Sequence, residues 1–234
     1  MSETTSTGAS SDTAAAGSPA LPSQRVLEQV VRAIARTVVE NEARFSELDA
    51  VVGDGDFGFS LARGFEKVLA ELDQLDRRSP GAFLKRVAII ITSRCGGTSG
   101  PIWGTAFLRA GAALGERVEL GGADIVALLR AAFVGIAQRG GAALGDKTLL
   151  DALGPFIDRF EAELGGGSPA ELLVALERAA EAAREAAEAT AGLVAKRGRA
   201  AYTGERSRGS VDPGAVALAV IASDLVVALR SSSA

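Results

Sequence analysis

From Val26 onward, apolar residues recur at helical spacing. Val26, Leu27, Val30, Val31, Ile34, Val38 and Val39 share one face, and the pattern carries a first helix through about Phe45. The same period predicts seven more helices. They run from Phe59 to about Asp76, from Ser79-Pro80 to Arg94, and from about Ile102 to Leu114. The others cover Ala123 to Gln138, Leu149 to Leu164, Pro169 to about Val194 and Pro213 to about Leu229. Ser79, Ser168 and Asp212 each precede a proline, the signature of an N-cap followed by Pro at the first helical position. Only Val87-Ala88-Ile89-Ile90-Ile91 reads equally as a buried strand or a helix, and periodicity does not decide it.

Eight helices joined mostly by short connections predict one all-α domain, spanning 24–234, with up-and-down antiparallel neighbours. Residues 1–23 are rich in Ser, Thr, Ala, Gly and Pro, and lack the basic start and apolar core of a signal peptide. They read as a disordered tail. No apolar run of roughly 18 residues is expected to make a membrane span, and with no export signal the expected location is cytoplasmic.

Composition narrows the chemistry. Hydrophobic residues make up 47% of the 234 but aromatics only 5%, which suits closely packed helices. A net charge of −4 argues against a whole-surface nucleic-acid binder. The lone cysteine, Cys95, excludes an intramolecular disulfide and reads as a small buried residue. Histidine is absent altogether. Imidazole-based triads, zinc sites and phosphohistidine chemistry therefore need a second protein.

The densest chemistry lies in Leu48–Gly58, where Asp49, Asp54 and Asp56 are interleaved with Gly53, Gly55 and Gly58. Asp and Gly disfavour helix interiors, so a loop is expected here. Carboxylates crowded this closely repel unless a cation joins them, and a hard, oxygen-liganded ion such as Mg²⁺ is the natural occupant. Three further glycine-rich loops lead straight into helix starts: Gly96–Gly100, Gly140–Thr148 and Gly209–Gly214. A helix N-terminus presents unpaired N–H groups and a positive dipole end to phosphate. These loops precede alternate helices, so an up-and-down arrangement puts all four at one end.

Two near-motifs fail. Gly140 to Thr148 almost spells a phosphate-binding P-loop, but Asp146 separates Gly145 from Lys147 and no strand pattern precedes it. Asp54-Gly55-Asp56 suggests a calcium-binding EF-hand, yet Phe65 stands where the closing Glu is required. The basic stretch Lys196–Arg208 places Arg199 where, folded over the glycine-rich end, it would neutralise phosphoryl oxygens. Trp103 and Phe107, one turn apart, read as core.

Four ordered blocks carry a resemblance. They are Leu48-Asp49-Ala50-x-x-Gly53-Asp54-Gly55-Asp56-x-Gly58, Gly96-Gly97-Thr98-Ser99-Gly100-Pro101, and Gly145-Asp146-Lys147-Thr148-Leu149-Leu150-Asp151-Ala152-Leu153. The last runs from Gly198-Arg199-Ala200-Ala201-Tyr202 to Asp212-Pro213-Gly214-Ala215. Over 25–230 the chain resembles the nucleotide-binding L subunit or domain of dihydroxyacetone kinases. The resemblance implies an eight-helix up-and-down barrel with adenine nucleotide, ADP or ATP, at one end. It settles Val87–Ile91 as helix and makes Asp49, Asp54 and Asp56 the Mg²⁺ ligands. It assigns nucleotide contacts to Phe57, Gly58, Phe59, Ser60, Thr98, Ser99, Gly140, Leu149, Asp212, Pro213 and Gly214. Arg199 is assigned both a nucleotide contact and the catalytic role. Phe57 departs from the polar residue common in the family, and Ser60 from a frequent Asn. The implied partner is a K-type subunit holding the ketose on a histidine, with a phosphohistidine carrier as a possible donor. Nucleic acid and membrane are not expected partners. The competing expectation is a non-catalytic nucleotide sensor that docks on a transcription factor.

Overall fold

In the computed structural model the described residues are 22–165 and 168–232; the predicted tail, 1–23, lies outside them up to residue 21, and its last two residues, Pro22 and Ser23, open the first helix instead. Among these described residues nine α-helices form: α1 (Pro22–Glu40), α2 (Glu42–Ala50), α3 (Phe57–Glu71), α4 (Pro80–Arg94), α5 (Ser99–Leu114), α6 (Gly122–Gly140), α7 (Leu150–Ala162), α8 (Pro169–Ala189) and α9 (Pro213–Ser232). No strand occurs among the described residues, and Val87–Ile91 lies within α4.

Eight of these helices make a closed ring. α1 packs on α3, then α3 to α9 each pack on the next, and α9 returns to α1. The short α2 rides on α3. One half of the core is built on Val31, Leu61, Phe65, Phe83, Ile91 and Leu114, which are buried between α1, α3, α4 and α5. The other is built on Leu150, Ile157, Ala175, Ala179, Ala183, Ala215 and Ala219, from α7, α8 and α9. Alanine along α8 and α9 lets those axes approach closely, as the aromatic-poor composition requires.

The caps match the sequence signals. The Ser79 hydroxyl accepts from Ala82 N at 3.2 Å, and Ser168 accepts from Glu171 N within a reciprocal capping box. An Asp212 carboxylate oxygen accepts from Ala215 N at 2.7 Å.

Four further expectations are corrected. The first predicted helix breaks at Asn41, whose side chain donates to Thr37 O at 2.9 Å, so two helices replace one. Leu48, Asp49 and Ala50, expected in a loop, form the last turn of α2, because tertiary packing of that helix on α3 outweighs their weak propensity. The long helix expected to reach Val194 ends at Ala189 and tightens into a 3₁₀ turn, Thr190–Gly192, where the Thr190 hydroxyl bonds back to Ala187 O. Finally, α9 is long and apolar enough, by length and composition, to cross a membrane. It serves instead as a stave of the ring: Ala215, Ala217, Ala219, Ile221 and Ala222 are buried, and Asp224 accepts a 2.8 Å hydrogen bond from Thr37 on α1.

The α4–α5 crossing leaves no room for a side chain at Gly81. A Cβ on Gly81 would run into the carbonyl oxygens of Gly111 and Gly115, backbone atoms that cannot swing aside. Gly81→Ala is expected to lower unfolding stability by about 1–3 kcal/mol, the usual cost of overpacking, in urea titrations followed by far-UV circular dichroism.

Candidate functional site

The ring topology brings the starts of α3, α5, α7 and α9 to one end, as the alternation of loops predicts. There they surround an open cavity of about 820 Å³. Its polar lining comes from the acidic turn, Thr98 and Ser99, the Lys147–Thr148 turn, and Arg197 to Arg199. Ile102, Trp103 and Ile136 give it an apolar wall.

The acidic cluster is built by local geometry. The last turn of α2 presents Asp49, whose backbone carbonyl accepts from Gly53 N at 2.6 Å and reverses the chain. A side chain at Gly53 would strike the Asp49 carboxylate, and Gly55 has φ +76°, a region that favours glycine. Gly58 lets the start of α3 lie against the backbone of Glu42 and Ser46. Two first-turn amides of α3 are already engaged: Phe57 N donates to Asp49 at 3.4 Å, and Phe59 N to the Ser46 hydroxyl at 3.2 Å. The result places one carboxylate oxygen from each of Asp49, Asp54 and Asp56 within 4.8 Å of one another. Three such oxygens are the donor set that a hard divalent cation selects.

Electrostatics agrees with that geometry. Burial raises the pKa of Asp49, and the neighbouring charges of Asp54 and Asp56 add to the rise. Partial desolvation works in the same direction on Asp54, but the hydrogen bond and charge of Arg199 outweigh it and hold that carboxyl below its ordinary range. Arg199 pairs with Asp54 and, at 2.9 Å, with Asp56. All three side chains are about half exposed, so this contact is weak and exchangeable. Arg199 opens a 3₁₀ segment, Arg199–Ser207, which sequence reading left as a plain basic loop.

On the far side of the cavity, Asp212 caps α9, and its backbone N–H donates to the Thr190 hydroxyl at 2.8 Å. Burial pushes its carboxyl pKa up to about 7, with nearby Asp151 contributing and the Lys147 charge opposing. Burial also pulls Lys147 below the ordinary lysine range.

Of the residues singled out from sequence, Asp49, Asp54, Asp56, Phe57, Thr98, Ser99, Gly140, Leu149, Arg199, Asp212, Pro213 and Gly214 all line the cavity. Gly58, Phe59 and Ser60 do not. Gly58 and Ser60 are buried in the packing of α3, while Phe59 is exposed beneath Arg63, whose guanidinium lies 5.0 Å from the ring centre. Helical rotation explains the split: a stretch contiguous in sequence points in several directions once it is wound. Sequence reading did not single out Arg139, Lys147 or Tyr202 for this wall. Trp103 is core, edge-on to Phe65, and reaches the cavity as well. Cys95 is buried against Leu61 O, and desolvation lifts its thiol pKa to about 11, which leaves it inert.

Comparison with known proteins gives a consistent picture. The DAK2 domain family model matches residues 51–226. The PEP-dependent dihydroxyacetone kinase ADP-binding subunit DhaL of Escherichia coli is 37% identical over 185 residues, covering 78% of this chain and 86% of that subunit. The PTS-dependent counterpart from Lactococcus lactis is 34% identical, covering 76% and 83%. An L-erythrulose 1-kinase from Mycolicibacterium smegmatis is 37% identical over 210 residues, of which this chain spans only 34% of the length. Among solved structures, the native dihydroxyacetone kinase of C. freundii superposes with a TM-score of 0.68 at 26% identity, covering 97% of this chain and 38% of that kinase. With the helical ring, the glycine-rich helix starts and the acidic turn in place, the chain belongs to the DAK2 domain family.

Proposed function

We propose that this chain is the nucleotide- and Mg²⁺-binding phosphotransferase subunit of a short-ketose kinase, acting on dihydroxyacetone or a close relative held by a separate K-type subunit. The observation that carries this reading is the meeting of Asp49, Asp54, Asp56 and Arg199 at a cavity rimmed by four helix starts. The names of the E. coli and L. lactis relatives, ADP-binding subunits, support the nucleotide. With no histidine among these 234 residues, a ketose held on an imidazole must be held outside this domain.

The residues divide the work. Asp49, Asp54 and Asp56 hold the cation, which when bound neutralises charge on the transferring phosphoryl group and keeps it in line. Thr98, Ser99, Leu149, Pro213 and Gly214 lie at helix starts and receive the nucleotide, where N–H groups and dipoles favour phosphate. Gly140 leaves room for it along the wall. Arg199, once its carboxylate partners turn to the cation, offers a planar fork of donors to the phosphoryl oxygens. The ketose hydroxyl approaches from the partner subunit across the open mouth.

Two donor modes are compatible with this chemistry: ATP that exchanges with solution, or a resident ADP rephosphorylated by a phosphohistidine carrier. The relatives aligned along most of their length are PEP- or PTS-dependent by name, which favours the resident ADP. The purified chain is expected to retain ADP through gel filtration and to exchange it slowly with labelled ATP; rapid exchange would establish ATP as the donor.

Asp54→Ala and Asp56→Ala are each expected to abolish Mg²⁺-dependent ADP binding in calorimetry, with helicity unchanged by circular dichroism. Undiminished affinity in both variants would remove the acidic turn from the cation site.

Asp212 makes stability depend on pH with a definite sign. Its folded pKa of about 7 lies above the unfolded 3.8. Its contribution is therefore full below pH ~4 and is lost as pH rises through ~7. Asp212→Asn cannot ionise, so it should gain on the wild type as pH rises from ~5 to ~8 in urea unfolding.

A further inference from the structure

The turn that nearly spells a P-loop has a different occupation. Lys147 is only 3% exposed, and its ammonium is saturated: it donates to the carbonyl oxygens of Leu193 at 3.2 Å, Ser210 at 2.6 Å, and Ser207. An ammonium has three protons, and all three are committed to the protein, none to a phosphate. Lys147 is also the only non-glycine with positive φ among the described residues, at +62°. Such a conformation persists only where surrounding contacts impose it.

Its neighbour grips the same segment. Asp146, 6% exposed, accepts from Lys196 N through its backbone carbonyl at 3.0 Å and from Lys196 Nζ through its carboxylate at 3.2 Å. Its other carboxylate oxygen pairs with Arg197 at 3.4 Å and accepts from Ala143 N. The turn itself is pinned to α7, because the Asp151 carboxylate accepts from Thr148 N at 2.8 Å. Two adjacent residues thus hold the 193–210 segment where it enters, at Leu193, Lys196 and Arg197, and where it leaves, at Ser207 and Ser210. Between these anchors lies Arg199, whose ion pairs among the described residues are the half-exposed ones to Asp54 and Asp56. The stretch also carries left-handed glycines at 198, 204 and 209, which make it pliable without anchors.

We propose that Asp146 and Lys147 are positioning residues, latching the 193–210 segment so that Arg199 is delivered to the carboxylate cluster. The latch follows from the geometry alone; its importance for the reaction rests on the function proposed above. A lysine is required because three carbonyl oxygens converge on one point charge, an arrangement that a planar guanidinium cannot match.

The test uses the full chain in two variants, Lys147→Met and the surface pair Lys196→Ala/Arg197→Ala, followed by hydrogen–deuterium exchange and Mg-ADP calorimetry. In both, amides of residues 198–209 should exchange about tenfold faster or more, while those of α3, α5 and α7 keep wild-type protection. Lys147→Met should also weaken Mg-ADP binding, and its penalty should not add to that of Arg199→Ala, since both remove the same delivered group. Unchanged exchange across 198–209, or penalties that add fully, would overturn the latch. Should Lys147→Met fail to fold, the surface pair decides alone by the same exchange criterion. A wild-type chain that binds no Mg-ADP would sink the functional reading, and the exchange measurement would still judge the latch.

Discussion

Three carboxylate oxygens within 4.8 Å of one another repel, and the fold must hold them together against that repulsion. It does so by exhausting local backbone freedom. Asp49 is fixed in the last turn of a helix, Gly53 and Gly55 fold the chain back, and Gly58 seats the next helix on the previous one. A mobile surface turn would let the carboxylates swing apart. Here the backbone holds the three carboxylates near one another, so the cluster suits a cation and is paired in this structure with the Arg199 guanidinium.

The ring supplies what the cluster lacks. Because neighbouring helices alternate in direction, every second helix starts at the same end, and each start contributes the positive end of a dipole even where, as in α3 and α9, side chains already engage first-turn amides. The carboxylates and the helix starts are therefore opposite in sign and face one cavity: one group suits a cation, the other a polyanion. On the function proposed above, a metal–nucleotide complex, which carries both charges, would meet both halves at once. Neither half alone would discriminate such a complex from a free ion or a free phosphate.

Much of this was legible in the sequence because it is local. Ser79, Ser168 and Asp212 cap the helices they precede, and the counting of loops put four helix starts together before any coordinates. What escaped was set by contacts distant along the chain. The apolar stripe runs past Asn41 without interruption, and only packing on α3 shows that the helix breaks there. Alanine-rich α8 could have continued, but Thr190 turns its hydroxyl back to Ala187 and takes the amide of Asp212, 22 residues on. Lys147 is the clearest case. Its three acceptors lie 46, 60 and 63 residues away, and a motif comparison could say only that its spacing was wrong for a phosphate. Phe59 shows the opposite failure, since a contiguous contact stretch was expected where the helix turns that residue outward.

The closure of α9 onto α1 has a geometric corollary. The cavity end holds the starts of α3, α5, α7 and α9, so α9 finishes, and α1 begins, at the opposite pole. Ser23, near the start of α1, accepts a hydrogen bond there from Leu120, in the connection that follows α5. The described ends of the ring, Pro22 and Ser232, therefore lie some helix length away from the chemistry, at the pole that the cavity does not occupy. A fluorophore or an immobilising linker on an exposed residue of that pole, such as Val118 in the connection after α5, inherits the same clearance, which suits this domain to surface-tethered measurements of how its partners arrive and leave.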